Sequence, residues 1–314
     1  MALECDVARN CHFCYTSARH LTYKSTVESE GVEWQAERSL RIVEVPTTIV
    51  AHLAPDLDCI AAIWIFKRFG GAHEYQVRFV PAGTTLNNLP ADSDPHVIHV
   101  DTGLGRFDHH QRHVRTLSAA ELVRRSLVGQ DIALERMIRQ VTLIDNALPT
   151  EQTSSDLGML ADSFNILYEH DPDKVVELML PNLDAWYAHE VRQMQLADAF
   201  ANRIEFHTPW GRGIAMQGPY GGSSSMAYRA GAVLAVYREE RHNWIGVAAQ
   251  SRSSVDLTPL AQALEVVDPL ADWYLHPSKR LLLCGTDKAP AKRLSALDMK
   301  GLITLIEGLH IAVR

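Results

Sequence analysis

Aspartate and histidine residues form four short groups between residues 50 and 145 of this 314-residue chain. In chain order they are His52-Leu-Ala-Pro-Asp56-Leu-Asp58, Asp101, Asp108-His109-His110 and Asp145. Carboxylates that converge in a protein repel one another and resist burial, and cations bound between them remove that penalty. Carboxylate oxygens together with imidazole nitrogens suit Mn²⁺, and also Mg²⁺, Fe²⁺, Co²⁺ or Zn²⁺. The groups therefore predict a centre of two divalent cations, of the kind that activates a water and neutralises charge on phosphorus.

Each group taken alone has a simpler interpretation. A single Asp at the end of a strand is usually a helix cap or a turn residue, and paired histidines are often solvated surface residues. The His52 group is harder to explain in this way, because three ligand side chains directly follow one predicted strand. The ordered set of all four groups favours one shared site.

Strands and helices alternate around these groups. The pattern predicts strands at residues 40–51, 75–81 and 96–101, a further strand end at Asp145, and helices at residues 58–69, 119–126 and 131–141. Such alternation predicts an α/β fold with a mostly parallel sheet and helices on both faces. Functional groups of these sheets gather at the carboxyl ends of the strands, which would bring the four groups together.

The second half of the chain is predicted to form a smaller α/β domain that binds substrate. A long helix over residues 181–204 leads into it, and strands are predicted at residues 214–216, 244–249 and 281–284. The predicted division is a polar extension over residues 1–40, a catalytic domain over 41–180, a connecting helix over 181–205 and the substrate domain over 206–314.

Composition excludes several classes of function. A balance of 46% hydrophobic and 22% charged residues is that of an ordinary globular protein, and no apolar run is long enough to span a bilayer. The net charge of −8 argues against broad binding to long duplex DNA, which needs a basic surface. The first residues do not resemble a secretory signal, so the expected location is the cytoplasm.

The five cysteines do not indicate a disulfide scaffold, because their number is odd and the chain is long. Cys59 and Cys284 lie in apolar runs and are predicted to be small buried residues. Cys11 and Cys14 have the two-residue gap of a zinc knuckle, without a second paired gap. Whether Cys5, Cys11 and Cys14 bind zinc or belong to a flexible extension is left open by the sequence.

The order and spacing of the four groups resemble the four motifs of the DHH phosphoesterase superfamily. That superfamily includes RecJ-type exonucleases, oligoribonucleases of the nano-RNase type, cyclic-dinucleotide phosphodiesterases and family II inorganic pyrophosphatases. Asp108-His109-His110 matches the third motif in full, and the first motif matches with Ala54-Pro55 where Asn-Pro is usual. The contexts RFDHHQ and LIDNA also resemble the Myg-type exonuclease branch. The resemblance covers about residues 42–150 with specific motifs and the remainder only loosely.

The resemblance implies a role for each motif residue. One cation would be bound by His52, Asp56 and Asp101, and the other by Asp58, Asp101, His109 and Asp145, with Asp101 bridging. His110 would face the scissile phosphate as a donor or acid, and Asp108 would orient the histidines. His99 and His113 match no motif and are predicted to be surface or supporting residues.

Many members of this superfamily carry a DHHA1 domain, which holds the substrate through an Arg-Ser segment and a Gly-Gly-His segment. Arg252-Ser253 resembles the first segment, and its guanidinium is suited to hold a phosphate with two hydrogen bonds. The second segment is absent in its usual form, but His276 stands near its place. Gly221-Gly222-Ser223 lies upstream in a loop whose N–H groups are suited to an anion. These six residues are the predicted substrate-binding set.

The sequence predicts a divalent-metal-dependent phosphodiesterase that hydrolyses short oligonucleotides or nucleic-acid ends. Two cations would activate the water, and Mn²⁺ is the metal expected first. The acidic net charge favours a short oligonucleotide or a small nucleotide as partner, because few phosphate contacts are then needed, and no membrane partner is expected. The alternatives are a phosphoanhydride hydrolase acting on pyrophosphate or polyphosphate, a non-catalytic nucleotide-binding member, and a nucleic-acid adaptor built on residues 1–40. The sequence leaves open the exact substrate and the native metal. It also leaves open the oligomeric state, for which a homodimer is one option.

Overall fold

The structure is a computed structural model that describes residues 47–71, 74–112, 114–150 and 155–310. These residues belong to one unit of the fold, Val45–Arg314. The predictions made for residues 1–40 and their cysteines, for the start of the first strand and for His113 lie outside the described residues.

The first sheet is parallel and has the strand order β2-β1-β3. Its strands are β1 (Thr47–His52), β2 (Tyr75–Val80) and β3 (Val97–His99). Val50 of β1 is in register with Arg78 of β2 and with His99 of β3. Because parallel strands end at the same edge of a sheet, the segments that follow β1 and β3 meet there.

Helix α1 (Leu57–Phe69) is the centre of the first hydrophobic core. Every residue from 57 to 66 is buried, including Ile63 and Ile65, which are two positions apart and therefore lie on opposite faces of the helix. A helix that is apolar all round its circumference is one that other elements surround. The surrounding helices are α2 (Ala119–Leu127), α3 (Ile132–Asp145), α4 (Ser155–Leu167) and α5 (Pro172–Ala201).

The segment that ends at Asp145 is part of a helix, so the strand predicted there is wrong. Helix α3 begins after Asp131, whose side chain accepts a hydrogen bond from the N–H of Leu134. Buried residues then recur at helical spacing, at Leu134, Ile138 and Val141, up to the last turn. A short apolar run fits a strand or a buried helix equally well, which is why its pattern misled the prediction. The helices predicted at residues 58–69, 119–126 and 131–141 are confirmed.

Helix α5 begins at Pro172 and not at Pro181, where the sequence pattern placed its start. Asp171 caps it by accepting a hydrogen bond from the N–H of Lys174, and a proline in the first turn removes no helical hydrogen bond. Pro181 lies inside the helix, where it does remove one. Although α5 has 30 residues, no helix in the described part of the chain is both long and apolar enough to cross a membrane.

The second sheet is mixed and has its own hydrophobic core. Its strands are β4 (Ile204–Thr208), β5 (Gly211–Gly218), β6 (Leu234–Glu239), β7 (Trp244–Ala249), β8 (Tyr274–Leu275) and β9 (Leu281–Cys284). Helices α6 (Ser224–Arg229), α7 (Thr258–Val267) and α8 (Met299–Glu307) accompany them. The strand order is β4-β5-β6-β7-β9-β8, and within the described residues only β5 and β6 are paired in parallel. Strands β5, β7 and β9 confirm the three predicted ones, and the mostly parallel arrangement holds for the first sheet alone.

Candidate metal centre

His52 and Asp101 meet where β1 and β3 end. His52 is the last residue of β1, and its Nε2 lies 3.2 Å from Oδ2 of Asp101. The other ring nitrogen, Nδ1, lies 2.8 Å from the carbonyl oxygen of Leu53 and donates to it. Because the Leu53 carbonyl holds a proton on Nδ1, loss of the proton on Nε2 would leave that nitrogen with a lone pair, which is the tautomer that a metal ligand needs.

Asp101 is held in an unusual backbone conformation. Its φ is +54°, in the left-handed region, which Asp tolerates better than most residues. Hydrogen bonds from the N–H of Val100 to Val50 and from the N–H of Asp101 to the carbonyl of Phe107 fix the turn. The side chain is buried, and its Oδ1 has no hydrogen-bond partner among the described residues.

His109 lies between three carboxylates. Its Nε2 is 3.5 Å from Oδ1 of Asp101, 3.5 Å from Oδ2 of Asp145 and 3.8 Å from Oδ2 of Asp58. This nitrogen is buried and, within the described residues, makes no hydrogen bond. Oδ1 of Asp101 is unpaired as well, and an unpaired buried nitrogen beside an unpaired carboxylate oxygen is costly without a cation between them.

Asp56 directly precedes α1, and Asp58 lies in its first turn. Both side chains accept hydrogen bonds from the starts of helices. Oδ1 of Asp56 accepts a hydrogen bond from the N–H of Cys59 at 2.9 Å. The buried carboxylate of Asp58 accepts from the N–H groups of Ala119 and Ala120, at 2.6 and 2.9 Å, where α2 begins. The chain therefore ties two helix starts to the same edge of the first sheet.

Asp108 holds His110 in place. Its buried Oδ1 accepts from the backbone N–H of His110 at 3.0 Å and from the ring Nδ1 at 2.9 Å, and its Oδ2 accepts from the N–H of Leu104 at 2.8 Å. The His110 side chain is 61% exposed, and Nδ1 lies 3.7 Å from Oδ1 of Asp101. With Nδ1 committed to Asp108, the opposite nitrogen Nε2 is the one available to a substrate.

Burial and mutual repulsion make most of these carboxylates hard to ionise. Burial raises the pKa of Asp145 to about 6. Burial, followed by the charge of Asp101, raises the pKa of Asp58 well above its usual range, and the pKa of Asp56 is raised for the same two reasons. Asp101 differs, because the two imidazoles beside it lower its pKa in spite of burial.

The imidazoles hold protons more tightly than an exposed histidine does. Burial alone would lower the pKa of His52, but Asp101 and the carbonyl of Leu53 raise it to about 9. The carboxylate of Asp101 raises the pKa of His109 to about 9, against the effect of burial. Protons on these rings balance part of the negative charge. A divalent cation binds neutral imidazole and ionised carboxylate, so it would displace these protons and take over the charge balance.

Three groups of described side chains offer ligand atoms close enough to share cations. The groups are His52, Cys59 and Asp101; Asp101, His109 and His110; and Asp58, His109 and Asp145, and in each the ligand atoms lie within 4.8 Å of one another. Ligand bonds of about 2.0–2.3 Å place two ligands of one ion up to roughly 4.4 Å apart, so the groups fit a cation with small shifts. Carboxylates and imidazoles are also a suitable ligand set for such ions.

Cys59 is a member of these groups that the sequence did not single out. Its side chain is fully buried, as predicted, and its sulfur lies within 4.8 Å of ligand atoms of His52 and Asp101. Burial and the charge of Asp101 raise the pKa of its thiol well above the usual range, so the thiol stays protonated. Asp56 and Cys59 are three residues apart at the start of a helix and therefore share a face. This spacing is the sequence signal that places Cys59 on the side of the candidate ligands.

A cavity of about 440 Å³ opens beside the cluster. It is lined by His52, Asp56, Ala82, Gly83, Asp101, Leu104, Asp108 and His110. A second cavity, of about 630 Å³, lies between the start of α3 and the second half of α5, and no residue of the four groups lines it. The smaller cavity is the one in which a substrate would meet the candidate ligands.

The first part of the predicted substrate-binding set lies on the second sheet, near β7 and β8. Arg252 and Ser253 follow β7, and Arg252 is exposed. The carbonyl of Ser253 accepts a hydrogen bond from Nε of Arg280 at 2.8 Å. His276 follows β8, and its Nδ1 lies 2.8 Å from Oγ of Ser278. The loop after β7 and the turn at residues 276–280 are therefore neighbours.

The remaining three, Gly221, Gly222 and Ser223, follow β5 and lie at the opposite end of that sheet. Ser223 caps α6 by accepting from the N–H of Met226. Strand β6 is parallel to β5 and antiparallel to β7, so the segments that follow β5 and β7 lie at opposite ends. The six residues of β7 span roughly 20 Å. The structure thus separates the predicted set into two groups, and none of its six residues lines the 440 Å³ cavity.

No protein-family model matches this chain, and no curated protein matches it. Two solved structures have a low similarity to this chain. An uncharacterised protein from Helicobacter pylori G27 is 12% identical over 83% of this chain and 98% of that chain, with a TM-score of 0.29. PggH, a pGpG-specific phosphodiesterase from Vibrio cholerae, is 13% identical over 84% of this chain and 99% of that chain, with a TM-score of 0.25. At these TM-scores neither similarity carries an argument about fold or function.

Proposed function

We propose that this chain is a divalent-metal-dependent phosphodiesterase of the DHH type that hydrolyses short oligonucleotides or small nucleotides. One observation carries the proposal. Asp58, Asp101 and Asp145 are far apart in the sequence, yet one carboxylate oxygen of each lies within 3.8 Å of Nε2 of His109, which makes no hydrogen bond among the described residues. Burial of these groups alone gives no reason for leaving Nε2 of His109 and Oδ1 of Asp101 without hydrogen bonds.

Two cation positions follow from the predicted roles. His52, Asp56 and Asp101 would hold one cation, and Asp58, Asp101, His109 and Asp145 the other. Asp56 belongs to none of the three close groups, but it lines the adjoining cavity with His52 and Asp101. A pair of divalent cations held in this way lowers the pKa of a water and neutralises negative charge on a phosphate. Asp101 supports the pairing because Oδ2 faces His52 while Oδ1 faces His109.

His110 would exchange a proton with the substrate. Asp108 binds its Nδ1 and backbone N–H, which fixes the ring, and the ring lines the cavity. Its free Nε2 is suited to donate a proton to the oxygen that leaves when the phosphodiester is cleaved. Asp108 acts through His110 and is a positioning residue in this scheme.

The second sheet would supply the substrate clamp, as the predicted division at residues 181–205 and 206–314 implies. Arg252 is exposed, and its loop contacts the turn at residues 276–280 through the hydrogen bond between Ser253 and Arg280. A guanidinium in that position is suited to a terminal phosphate. The loop at Gly221 lies at the other end of the sheet. We assign the clamp to the Arg252 group because it is the one of the two that contains a cationic side chain.

The test is a substrate panel on protein stripped of metal and then supplied with Mn²⁺. The panel contains short RNA and DNA labelled at either end, linear and cyclic dinucleotides, and pyrophosphate. We expect Mn²⁺-dependent cleavage of the nucleotides, with no cleavage by Asp101→Asn. Turnover of pyrophosphate alone would replace the proposal with a phosphoanhydride hydrolase. Nucleotide binding without turnover at saturating Mn²⁺ would replace it with a non-catalytic nucleotide-binding protein.

A further inference from the structure

The cavity beside the candidate metal centre has an apolar part that the proposed chemistry does not use. Ala82, Gly83 and Leu104 form this part, while the other lining residues are all aspartates or histidines. No lysine or arginine is among the described residues that line the cavity. An inorganic polyphosphate gains from cationic partners, whereas the flat face of a nucleobase gains from apolar contact. The lining therefore favours a ligand with an apolar, planar group next to its phosphate.

Leu104 is the most unusual of the three residues. It is 60% exposed although it is large and apolar. Its φ is +56°, in the left-handed region that a bulky residue rarely adopts. Strain of this kind persists only where the surroundings enforce it, and it is concentrated at ligand sites. An exposed, strained leucine at the cavity is in position to cover a bound apolar group.

Neighbouring side chains enforce the conformation of Leu104. The buried carboxylate of Asp108 accepts from the Leu104 N–H at 2.8 Å and holds the ring of His110 with its other oxygen. Nε2 of Gln111 donates to the carbonyl oxygens of Leu104 and Gly105, at 3.4 and 3.3 Å. One carboxylate thus positions both the leucine and the histidine, so a phosphate at His110 would carry its nucleoside beside Leu104.

The loop that contains Gly83 is fixed as firmly. The hydroxyl of Thr102 accepts from the N–H of Gly83 and donates to the carbonyl of Thr84, both at 3.1 Å. Nε2 of His99 accepts from the N–H of Leu86 at 3.1 Å. Thr102 and His99 are both buried, so of the two roles predicted for His99, surface or support, the structure shows the supporting one. The apolar part of the cavity is therefore preformed on both sides.

We propose that Leu104, with the loop at Ala82 and Gly83, forms a nucleobase subsite that selects nucleotides over inorganic polyphosphates. This subsite rests on the proposed phosphodiesterase function and names a residue that sets its substrate class. The base packs on the leucine while its phosphate lies at the metal ligands and His110. A pyrophosphate reaches the same ligands and gains nothing from the leucine.

The test compares two variants of Leu104 in the full-length protein. Leu104→Asn suits the left-handed backbone better than leucine does, so it removes the apolar contact without adding strain. Leu104→Met keeps an apolar side chain of similar size. Leu89→Asn is the matched control, because Leu89 is 57% exposed and does not line the cavity in the described structure. The measurements are kcat/KM for a linear diribonucleotide with Mn²⁺, and calorimetric binding of adenosine monophosphate and of pyrophosphate.

For Leu104→Asn we expect roughly tenfold weaker binding of adenosine monophosphate and a similar fall in kcat/KM. Binding of pyrophosphate should stay within about twofold, and Leu89→Asn should stay near the unaltered protein. Leu104→Met should lose less nucleotide binding than Leu104→Asn, because it keeps an apolar side chain. Equal losses for both ligands, or unchanged nucleotide binding in Leu104→Asn, would overturn the subsite and leave the proposed function standing. An unaltered protein that neither binds nor cleaves nucleotides would overturn both.

Discussion

At the scale of single residues, Asp101 combines features that rarely occur together. It is buried, its backbone is left-handed, and one of its carboxylate oxygens has no hydrogen-bond partner in the described structure. Each feature costs free energy unless something compensates for it. A cation on the His52 side and another on the His109 side would give each oxygen of Asp101 a partner. The local strain is therefore best explained by the proposed bridging role.

Asp101→Asn should abolish the activity because it keeps the size of the side chain and removes the charge that both cations need. We expect turnover to fall more than about 100-fold and bound Mn²⁺ to fall at both positions. Metal analysis of the purified variant and an initial-rate assay measure these effects. Asp162→Asn, at an exposed position of α4, is the control. Full metal content with normal turnover in Asp101→Asn would rule out the bridging role.

At the scale of elements, the candidate ligands also determine where helices begin. Asp56 caps α1, and Asp58 accepts two hydrogen bonds from the first residues of α2. Both helices pack together in the first core. The geometry of the site and the placement of these helices therefore depend on each other.

Asp58→Ala should destabilise the fold even when metal is removed, because the N–H groups of Ala119 and Ala120 lose their buried acceptor. We expect the free energy of unfolding to fall by about 1–3 kcal/mol, as for other unsatisfied buried groups. Denaturant unfolding in the presence of a chelator measures it. Asp145→Ala is the comparison, since it relieves similar repulsion and accepts no hydrogen bond from a helix start in the described structure. Equal stability of the two variants would contradict the capping role of Asp58.

The proline inside α5 gives a second test at this scale. Pro181→Ala restores a helical hydrogen bond at an exposed position and should raise the free energy of unfolding by about 1–3 kcal/mol. Pro172→Ala, in the first turn, should have little effect or a small destabilising one. Thermal unfolding of both variants distinguishes them. A Pro181→Ala protein less stable than the unaltered one would show that α5 needs the proline for its shape.

At the scale of the whole molecule, the candidate chemistry and the candidate clamp lie on different sheets. The cavity at the metal centre is lined by residues between 52 and 110, whereas Arg252 and His276 follow strands of the second sheet. Each sheet has a hydrophobic core of its own. Protonation of the residues at the metal centre should therefore change the stability of the part of the fold that contains the first core. The pH dependence of unfolding measures this change.

Without metal, the melting temperature should fall by a few degrees between pH 6.5 and 9. The folded-state pKa values of His52 and His109 are raised to about 9, above the ordinary value near 6.5. Their stabilisation is therefore complete below about pH 6.5 and is lost as the pH rises through about 9. The buried carboxylates with raised pKa values act in the same direction.

Added metal should reverse this trend, because cations and protons compete for the same imidazoles. The increase in melting temperature caused by Mg²⁺ or Mn²⁺ should be larger at pH 8.5 than at pH 6.5. Calorimetric melting at the two pH values, with chelator and with metal, measures both effects. A metal-induced shift that is the same at both pH values would argue against imidazole ligands.

The sequence alone determined the residue types and much of the local structure. The order of the His52, Asp101 and His109 groups predicted a metal centre, and the apolar residues of β1, α1 and β2 predicted these three elements. The same local reasoning failed at Asp145, since a short apolar run does not distinguish a strand from a buried helix.

Only the tertiary structure decided which of these residues meet. Strand pairing and helix packing bring Asp58 and Asp145 to His109, and they place Cys59 and Leu104 beside the same cluster. Strand direction also separates the loop at Gly221 from the one at Arg252, although the sequence predicted an anion-binding role for both. Residue type and spacing are local properties of the chain, whereas proximity depends on contacts between distant segments, which no single window of sequence contains.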